Sequence, residues 1–202
     1  MRIEIAGALS CGKSTLAGLL SDAGHEIVYE DLTTNPYLDL RVVDPEKYDY
    51  LCQERFVLDK IHSLEKARDE ERAVVADFSL AAERAYVSHY VSDRPDWIAR
   101  LESLLDDAEA TVGTPDLLVY LRCSPEAQLE RIRHRGRSFE QGHDIAFIDT
   151  INRLVDIQVT RMRSLGVPVA SYRTDVESWD TILSDLHRSQ FPGVGYGMNK
   201  AA

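Results

Sequence analysis

Apolar residues fall into short strand-like runs that alternate with longer segments in which they recur at helical spacing. The short runs predict strands at residues 2–6, 27–29, 73–76, 117–121 and 167–171. The longer segments predict helices at residues 13–23, 45–67, 80–91, 95–108, 125–133, 144–165 and 179–187. Because helices separate successive strands, we predict an α/β fold of three layers, in which helices flank a parallel central sheet.

The same alternation runs through most of the chain without an interdomain linker, an internal repeat or a low-complexity block. We therefore predict a single domain over residues 1–190. A chain of 202 residues is long enough for one such domain with a substantial core. The segment 191–202 is glycine-rich and has no hydrophobic pattern, and we expect it to be a mobile C-terminal tail.

Acidic residues outnumber basic ones, 34 to 23, which gives a formal net charge of -11. An acidic chain repels a polyanion, so we do not expect polymeric nucleic acid as a partner. The basic residues are unevenly spread, however, and Arg131, Arg133, Arg135 and Arg137 fall within seven positions. This local cluster favours a small, highly charged ligand.

Several features of the sequence indicate a cytoplasmic protein. The apolar runs fall far short of the roughly 20 residues that cross a membrane, so we expect no membrane partner. The N-terminus begins directly as a strand without a signal-peptide core. Cys11, Cys52 and Cys123 are odd in number and widely spaced, and they indicate neither a disulfide framework nor a zinc site.

The strongest chemical signal is a phosphate-binding loop (P-loop) between the first strand and the first helix. Residues 7–14 match the pattern G-x-x-x-x-G-K-[ST], and the strand and helix around them are the context that this motif requires. Backbone N–H groups would converge on phosphate oxygens there, Lys13 would reach the β- and γ-phosphates, and the Ser14 hydroxyl would hold Mg²⁺. The predicted ATP-binding residues are Gly7, Ala8, Leu9, Ser10, Cys11, Gly12, Lys13, Ser14 and Thr15.

Two acids follow predicted strands, at the edge of a parallel sheet where ligands bind. Glu30 follows the second strand and Asp77 follows the third. A hydroxyl that accepts a phosphoryl group needs a carboxylate to take its proton, and Mg²⁺ needs an acidic anchor. We assign the first role to Glu30, with Asp31 as a competitor, and the second to Asp77.

The arginine cluster closes a predicted helix and opens a flexible loop. At helical spacing Arg131 and Arg135 share a face, and Gly136 lets the chain turn away. Arginines that close over a transferring phosphoryl group stabilise its developing charge. We predict catalytic roles for Arg131, Arg135 and Arg137 in a LID segment at about 133–143, while Arg133 is expected to face solvent.

These features together resemble the deoxynucleoside kinases of the purine and cytidine type. The likeness covers residues 1–159 and rests on the P-loop, Glu30, Asn35-Pro36-Tyr37-Leu38, Gln53, Asp77-Phe78-Ser79 and the stretches 115–126 and 130–142. It implies a P-loop kinase fold, ATP and Mg²⁺ as cofactors, and 5′-phosphorylation of a deoxynucleoside, with a purine favoured over cytidine. It also implies a homodimer, for which the helices at 80–91 and 95–108 could serve, although their apolar faces could equally be core.

The resemblance also implies roles for single residues. Glu30 resembles the family's general base for the 5′-hydroxyl, and Gln53 the glutamine that hydrogen-bonds the base. Lys60 and Glu83 stand where related kinases have a pair that tunes base choice. Glu140 is similar to the acid that meets the sugar 3′-hydroxyl.

Three departures from the family pattern affect substrate recognition, and one of them is Phe139, at a LID position that is acidic in some relatives. Phe78 occupies a substrate-binding position where most relatives have an arginine that orients the 5′-hydroxyl. Val42 stands where many have a tyrosine for the 3′-hydroxyl, which leaves the choice between deoxyribose and ribose open. Gln53 offers both a donor and an acceptor, so the base is also left open.

Two other functions stay open at this stage. A nucleoside monophosphate kinase of the thymidylate type shares the P-loop and the LID, but the segment 30–50 offers few basic residues for a second phosphate. A non-catalytic nucleotide-binding regulator is the other alternative, because Phe78 replaces the expected arginine.

Overall fold

The computed structural model describes residues 1–140 and 142–190, and the tail predicted to be mobile lies outside them. The five predicted strands form one parallel sheet in the order β2-β3-β1-β4-β5. Their bounds are β1 Arg2–Ala6, β2 Ile27–Val28, β3 Val74–Ala76, β4 Leu117–Arg122 and β5 Val169–Arg173. The predicted α/β fold, a parallel sheet flanked by helices, is confirmed.

The described residues contain eight α-helices and two short 3-10 helices, the latter at Leu32–Thr34 and Ser138–Glu140. The α-helices are α1 Lys13–Asp22, α2 Leu40–Val43, α3 Pro45–Asp69, α4 Leu80–Tyr90, α5 Pro95–Val112, α6 Pro125–Arg135, α7 Ile145–Ser164 and α8 Trp179–Gln190. Helix α2 and both 3-10 helices were not predicted, because elements of three or four residues are too short to show a periodicity.

Helix starts follow from local capping residues. Asp44, Ser79, Ser124 and Asp144 each accept a hydrogen bond from a backbone N–H in the first turn of α3, α4, α6 and α7. Such caps satisfy N–H groups that have no partner within the helix, and each contributes about 1 kcal/mol. The start of each of these four helices is therefore set by a capping residue in its own sequence.

The last strand starts two residues later than predicted. The Val167 N–H donates to the Met162 carbonyl, and Gly166 has a φ of 83°. This six-to-one hydrogen bond with a left-handed glycine belongs to the turn that ends α7. Val167 is thus part of the helix terminus, and the hydrogen bonds to β4 begin at the Pro168 carbonyl, which accepts from the Leu118 N–H (2.9 Å).

Helices α3, α4 and α5 pack in a single hydrophobic cluster. Leu80 and Val87 of α4 and Leu101 and Leu105 of α5 are buried in it. Of the two alternatives for these apolar faces, the core is confirmed, and the homodimer stays a prediction. No helix within residues 1–140 and 142–190 combines the length and the apolar character that crossing a membrane requires.

Two buried charged side chains, Glu4 and Arg84, fix α4 against its neighbours. The Glu4 carboxylate in β1 is almost inaccessible to solvent, and it accepts hydrogen bonds from Arg2 (2.9 Å) and from the Leu80 N–H at the start of α4 (3.1 Å). Arg84, also buried, pairs with Asp106 (2.8 Å) and Glu109 (3.4 Å) of α5. Because buried charges need partners, these contacts define the position of α4 and of the side chains that it directs toward the cavity.

The turn from β1 into α1 requires glycine. Gly7 and Gly12 have φ values of 150° and 96°, where glycine is favoured. A Cβ atom on Gly7 would lie only 2.6 Å from the Leu121 carbonyl oxygen of the neighbouring strand β4. A Cβ atom on Gly12 would lie 2.8 Å from the Trp179 ring. The P-loop is thus packed too closely for any side chain at these positions.

We expect Gly7→Ala to lower the free energy of unfolding by about 2–5 kcal/mol, because a clash with main chain adds to backbone strain. Gly24→Ala is the matched control, since Gly24 has a φ of 93° and open space around its Cα. It should lose only about 1–2 kcal/mol from strain alone. Urea unfolding measures both variants, and equal losses would contradict the role of the Leu121 carbonyl.

Candidate active site

A cavity of about 900 Å³ opens at the carboxyl ends of β1, β2 and β3. The P-loop forms one end of the cavity, and residues of α2, α3 and α4 form the other. Further lining comes from Arg135, Arg137, Ser138, Phe139, Glu140, Gly142 and His143. Ligands of open parallel sheets bind at this edge. The cavity gathers most of the side chains that the sequence singled out, although they come from distant parts of the chain.

The residues of the P-loop are divided between the cavity and the hydrophobic core. The residues that line the cavity are Gly7, Leu9, Ser10, Gly12, Lys13, Ser14 and Thr15. Ala8 and Cys11 are instead buried in the hydrophobic core, where burial raises the pKa of the Cys11 thiol to about 12. Their side chains are thus directed away from the predicted ATP site, and the thiol is not reactive at neutral pH.

Lys13 folds back over the P-loop. Its Nζ atom donates to the carbonyl oxygens of Gly7 and Ala8, at 2.9 Å each. Burial lowers the pKa of this ammonium group from its ordinary value, although nearby groups including Glu30 and Asp77 oppose that effect. The lysine is therefore a partly buried cation whose two hydrogen bonds go to backbone carbonyls.

Ser14 and Asp77 meet where the sequence predicted a metal site. The Ser14 hydroxyl donates to Asp77 Oδ2 (3.3 Å), and the Glu30 N–H donates to Asp77 Oδ1 (2.7 Å). Burial raises the pKa of the Asp77 carboxyl. No group of three or more His, Cys, Asp or Glu side chains within the described ranges could hold a metal ion. One carboxylate and one hydroxyl fit Mg²⁺, which is usually held by few protein ligands together with phosphate oxygens and water.

Lys60 of α3 joins two carboxylates at the centre of the cavity. It forms ion pairs with Glu30 and with Glu83 of α4, the latter at 2.7 Å. Burial raises the pKa of Glu30, but Lys60, together with Lys13 and Arg137, outweighs burial, and the net pKa lies below the ordinary value. For Glu83 burial dominates, and its pKa is raised despite Lys60. The predicted general base is therefore held ionised by the same lysine that pairs with Glu83.

Asp31, the competitor for the role of base, is used differently. Its carboxylate caps the first 3-10 helix by accepting hydrogen bonds from the Thr33 N–H (2.9 Å) and the Thr33 hydroxyl (2.6 Å). These bonds lower the pKa of the Asp31 carboxyl. Glu30 thus has the more suitable position, since it faces Lys60 in the cavity while Asp31 closes a turn at its edge.

Gln53 lies beyond Lys60 at the end of the cavity away from the P-loop, and it is almost fully buried. One orientation of its amide satisfies both neighbours: Nε2 donates to Glu83 (3.3 Å), and Oε1 accepts from Arg41 (3.2 Å). Arg41 also pairs with Asp49 (3.1 Å) and stacks on Tyr90, 3.5 Å from the ring centroid. The predicted base-reading glutamine is therefore the centre of a polar network.

Phe78 and Val42, which depart from the family pattern, both lie in the cavity wall. Phe78 is buried, and its ring centroid lies 5.8 Å from Lys60 Nζ. Val42 is an exposed part of the lining. The neighbouring Tyr48 stacks on Tyr37, and the Tyr50 hydroxyl donates to Glu54 (2.6 Å). Neither tyrosine lines the cavity in place of Val42.

The predicted LID arginines differ in their contacts. Arg131 donates to the Ser10 carbonyl (3.2 Å) and to Thr174 (2.9 and 2.8 Å), which ties α6 to the P-loop. Arg135 makes a multidentate ion pair with buried Glu140 (2.5–3.1 Å), and Arg137 lies 3.7 Å from the same carboxylate. Arg133 is exposed, as expected. The cavity therefore brings together Arg131, Arg135, Arg137 and Glu140.

Several cavity residues were missed from the sequence. They are Arg41, Phe56, Tyr86, Tyr90 and Trp179. Trp179, at the start of α8, lies against Gly12 and so borders the P-loop from the far end of the chain. Arg41 had one signal, as a basic residue in an acid-rich segment. The aromatic residues lie on helices whose periodicity indicates core packing, and nothing in their spacing distinguishes them from core residues.

Sequence comparison finds relatives that are named as deoxynucleoside kinases. The deoxyguanosine kinase of Lactobacillus acidophilus is 30% identical over 162 residues, which cover 76% of this chain and 71% of the relative. The deoxyadenosine kinase of the same organism is 30% identical over 69% and 68% of the two chains. The deoxyguanosine kinase of Bacillus subtilis is 23% identical over 92% of each chain.

A solved structure of deoxyadenosine kinase from M. mycoides has the same fold. It superposes with a TM-score of 0.79, at 22% identity, over 93% of this chain and 100% of the other. The model of the family described as "Deoxynucleoside kinase" matches residues 3–190 of this chain. That match covers nearly the whole chain, including every element that lines the cavity, and the chain therefore belongs to the deoxynucleoside kinase family.

Proposed function

We propose that this protein transfers the γ-phosphoryl group of ATP to the 5′-hydroxyl of a deoxynucleoside, with purine deoxynucleosides favoured. The observation that carries the proposal is the convergence of a P-loop, Asp77 and an ionised Glu30 in one cavity. The relatives named deoxyguanosine and deoxyadenosine kinase support a purine acceptor.

The P-loop end suits the donor nucleotide. Lys13 and the backbone N–H groups of the loop would bind the phosphates, since both favour anions. Ser14 and Asp77 would hold Mg²⁺, which neutralises charge on the phosphate oxygens when it is bound. Trp179 beside Gly12 offers an aromatic surface on this side of the cavity.

The Lys60 end suits a neutral acceptor. Glu30 would take the proton of the 5′-hydroxyl as it attacks, and Lys60 keeps that carboxylate ionised and in place. Gln53 would hydrogen-bond the base, with Glu83 beside it. Glu140 would meet the sugar, and Arg131, Arg135 and Arg137 would stabilise charge on the transferring group.

The pairing of the cations argues against a monophosphate acceptor. The two cations that α2 and α3 contribute to the cavity are Arg41 and Lys60. Both are paired with carboxylates, Arg41 with Asp49 and Lys60 with Glu30 and Glu83. A phosphate group of the acceptor could bind these cations only by displacing their carboxylate partners. A nucleoside therefore fits this end better than a nucleotide.

The first test is ADP formation from ATP and Mg²⁺ with a panel of acceptors. We expect turnover with deoxyadenosine or deoxyguanosine, and little with thymidine monophosphate or without an acceptor. Turnover with the monophosphate would instead indicate the nucleotide kinase. ADP release at the same rate with and without each acceptor would indicate a nucleotide-hydrolysing regulator.

Glu30→Gln should lower kcat by roughly 10²–10⁴-fold while the KM for the deoxynucleoside changes little, because the amide keeps the shape but takes no proton. Asp31→Asn is the matched control, and since Asp31 caps a turn it should stay within a few-fold of wild type. Steady-state kinetics of both variants decide the assignment. A loss at Asp31 equal to that at Glu30 would contradict the role of Glu30 as base.

Lys60→Met should move the acid limb of the kcat/KM profile to higher pH. The base works only when ionised, so the rate falls as pH drops through the Glu30 pKa. In the wild type Lys60, with smaller contributions from Lys13 and Arg137, holds that pKa below its ordinary value, so the pKa rises when the Lys60 ammonium group is removed. Lys60→Arg retains a cation and should keep the limb near its original position. An unchanged pH profile in Lys60→Met would show that Lys60 does not control the pKa of the base.

A further inference from the structure

Arg41 stands out because its side chain is largely shielded from solvent on an otherwise exposed helix. Its neighbours Leu40, Val42 and Val43 in α2 are 43%, 58% and 84% exposed. The Arg41 side chain is only 11% exposed, and it extends inward to the cavity wall. Arg41 is thus the one side chain of this four-residue helix that is largely shielded from solvent, and a shielded guanidinium group indicates a specific use of its donors.

Three contacts fix the guanidinium group from different sides. Asp49 binds its Nε atom at 3.1 Å, and the ring of Tyr90 lies 3.5 Å beneath its central carbon. Nη1 then points at Gln53, 3.2 Å from the amide oxygen. A planar group that is both stacked and ion-paired has little freedom, so the donor it offers to Gln53 is fixed in direction.

The two neighbours of Gln53 are opposite in character. Arginine only donates hydrogen bonds, whereas the Glu83 carboxylate, in its ion pair with Lys60, accepts them. The Gln53 oxygen must therefore face Arg41, and its nitrogen must face Glu83. The reverse orientation would set oxygen against carboxylate and N–H against guanidinium. One lone pair and one N–H group of the amide are left for a ligand, in a fixed order.

We propose that Arg41 is a positioning residue that sets the base specificity of the acceptor site by locking the Gln53 amide in one orientation. The proposal rests on the proposed function, in which Gln53 hydrogen-bonds the base. Bases fall into two classes at such an edge. A 6-aminopurine presents an N–H donor beside a ring nitrogen acceptor, and a 6-oxopurine presents a carbonyl acceptor beside a ring N–H. A locked amide fits one order, while a free amide can rotate to fit both.

Deoxyadenosine and deoxyguanosine separate these two orders with nearly the same shape. We expect the wild type to prefer one of them by at least roughly tenfold in kcat/KM, because the other leaves like groups facing each other. Arg41→Met removes the donors but keeps an apolar chain on Tyr90. It should bring the ratio close to one and raise the KM for the preferred substrate, with the KM for ATP unchanged.

A double-mutant cycle with Gln53→Ala shows whether Arg41 acts through Gln53. Gln53→Ala should itself abolish the preference, and adding Arg41→Met should then change the ratio by less than about twofold if the two residues act as a unit. Arg55→Ala, which removes an exposed arginine of α3 paired with Asp59, is the matched control and should leave the ratio unchanged. Arg41→Lys, which keeps the cation, should retain part of the preference and serves where Arg41→Met does not fold.

Each other outcome has a definite meaning. A wild type that uses both purines equally, or an Arg41→Met or Arg41→Lys variant with an unchanged ratio, overturns the inference. A further change of the ratio when Arg41→Met is added to Gln53→Ala also overturns it, since Arg41 would then act on the base directly. A wild type without any deoxynucleoside-dependent ADP formation overturns the proposed function itself, and the inference with it.

Discussion

The ion pairs of Lys60 with Glu30 and Glu83 are the interaction on which the cavity depends. They join three separate parts of the chain: the loop after β2, helix α3 and helix α4. Taking three charges out of water is costly, and the arrangement is stable only while each has its partner. Removing one partner of a buried pair typically costs about 3–5 kcal/mol. The same contacts therefore hold the fold together here and hold the proposed base in its ionised form.

This arrangement also explains what Phe78 contributes to the Lys60–Glu30 ion pair. The cation next to Glu30 comes from α3, and Phe78 contributes an apolar wall below it, with its ring 5.8 Å from the ammonium group. An apolar surface lowers the local dielectric and strengthens the attraction between Lys60 and Glu30. The missing arginine thus does not leave Glu30 without a positive neighbour. In this chain Lys60 supplies that positive charge, and the position after Asp77 contributes apolar surface instead.

The sequence predicted best what depends on local pattern. The P-loop, Glu30 and Asp77 were placed correctly, because a motif between a strand and a helix fixes its own position and acids after parallel strands meet at one edge. Arg41 and Trp179 were missed as cavity residues, because they reach the cavity only through packing between distant elements. Helix α2 is too short to be periodic, yet it carries Arg41. The pairing of Lys60 with Glu30 was equally hidden, since only the tertiary fold brings α3 to the loop after β2.

The two ends of the cavity hold their cations in different ways, and this difference favours an anionic donor and a neutral acceptor. At the P-loop, Lys13 and Arg131 are bound to neutral groups, the carbonyls of Gly7, Ala8 and Ser10 and the Thr174 side chain. A phosphate offers such cations a stronger, charge-assisted partner, so it can recruit them at little cost. At the far end Lys60 is already bound to carboxylates, and an incoming anion would gain nothing by competing. An overall charge of -11 adds to this barrier. Selection between a nucleotide and a nucleoside therefore follows from which cations are already neutralised, before any contact with the base is made.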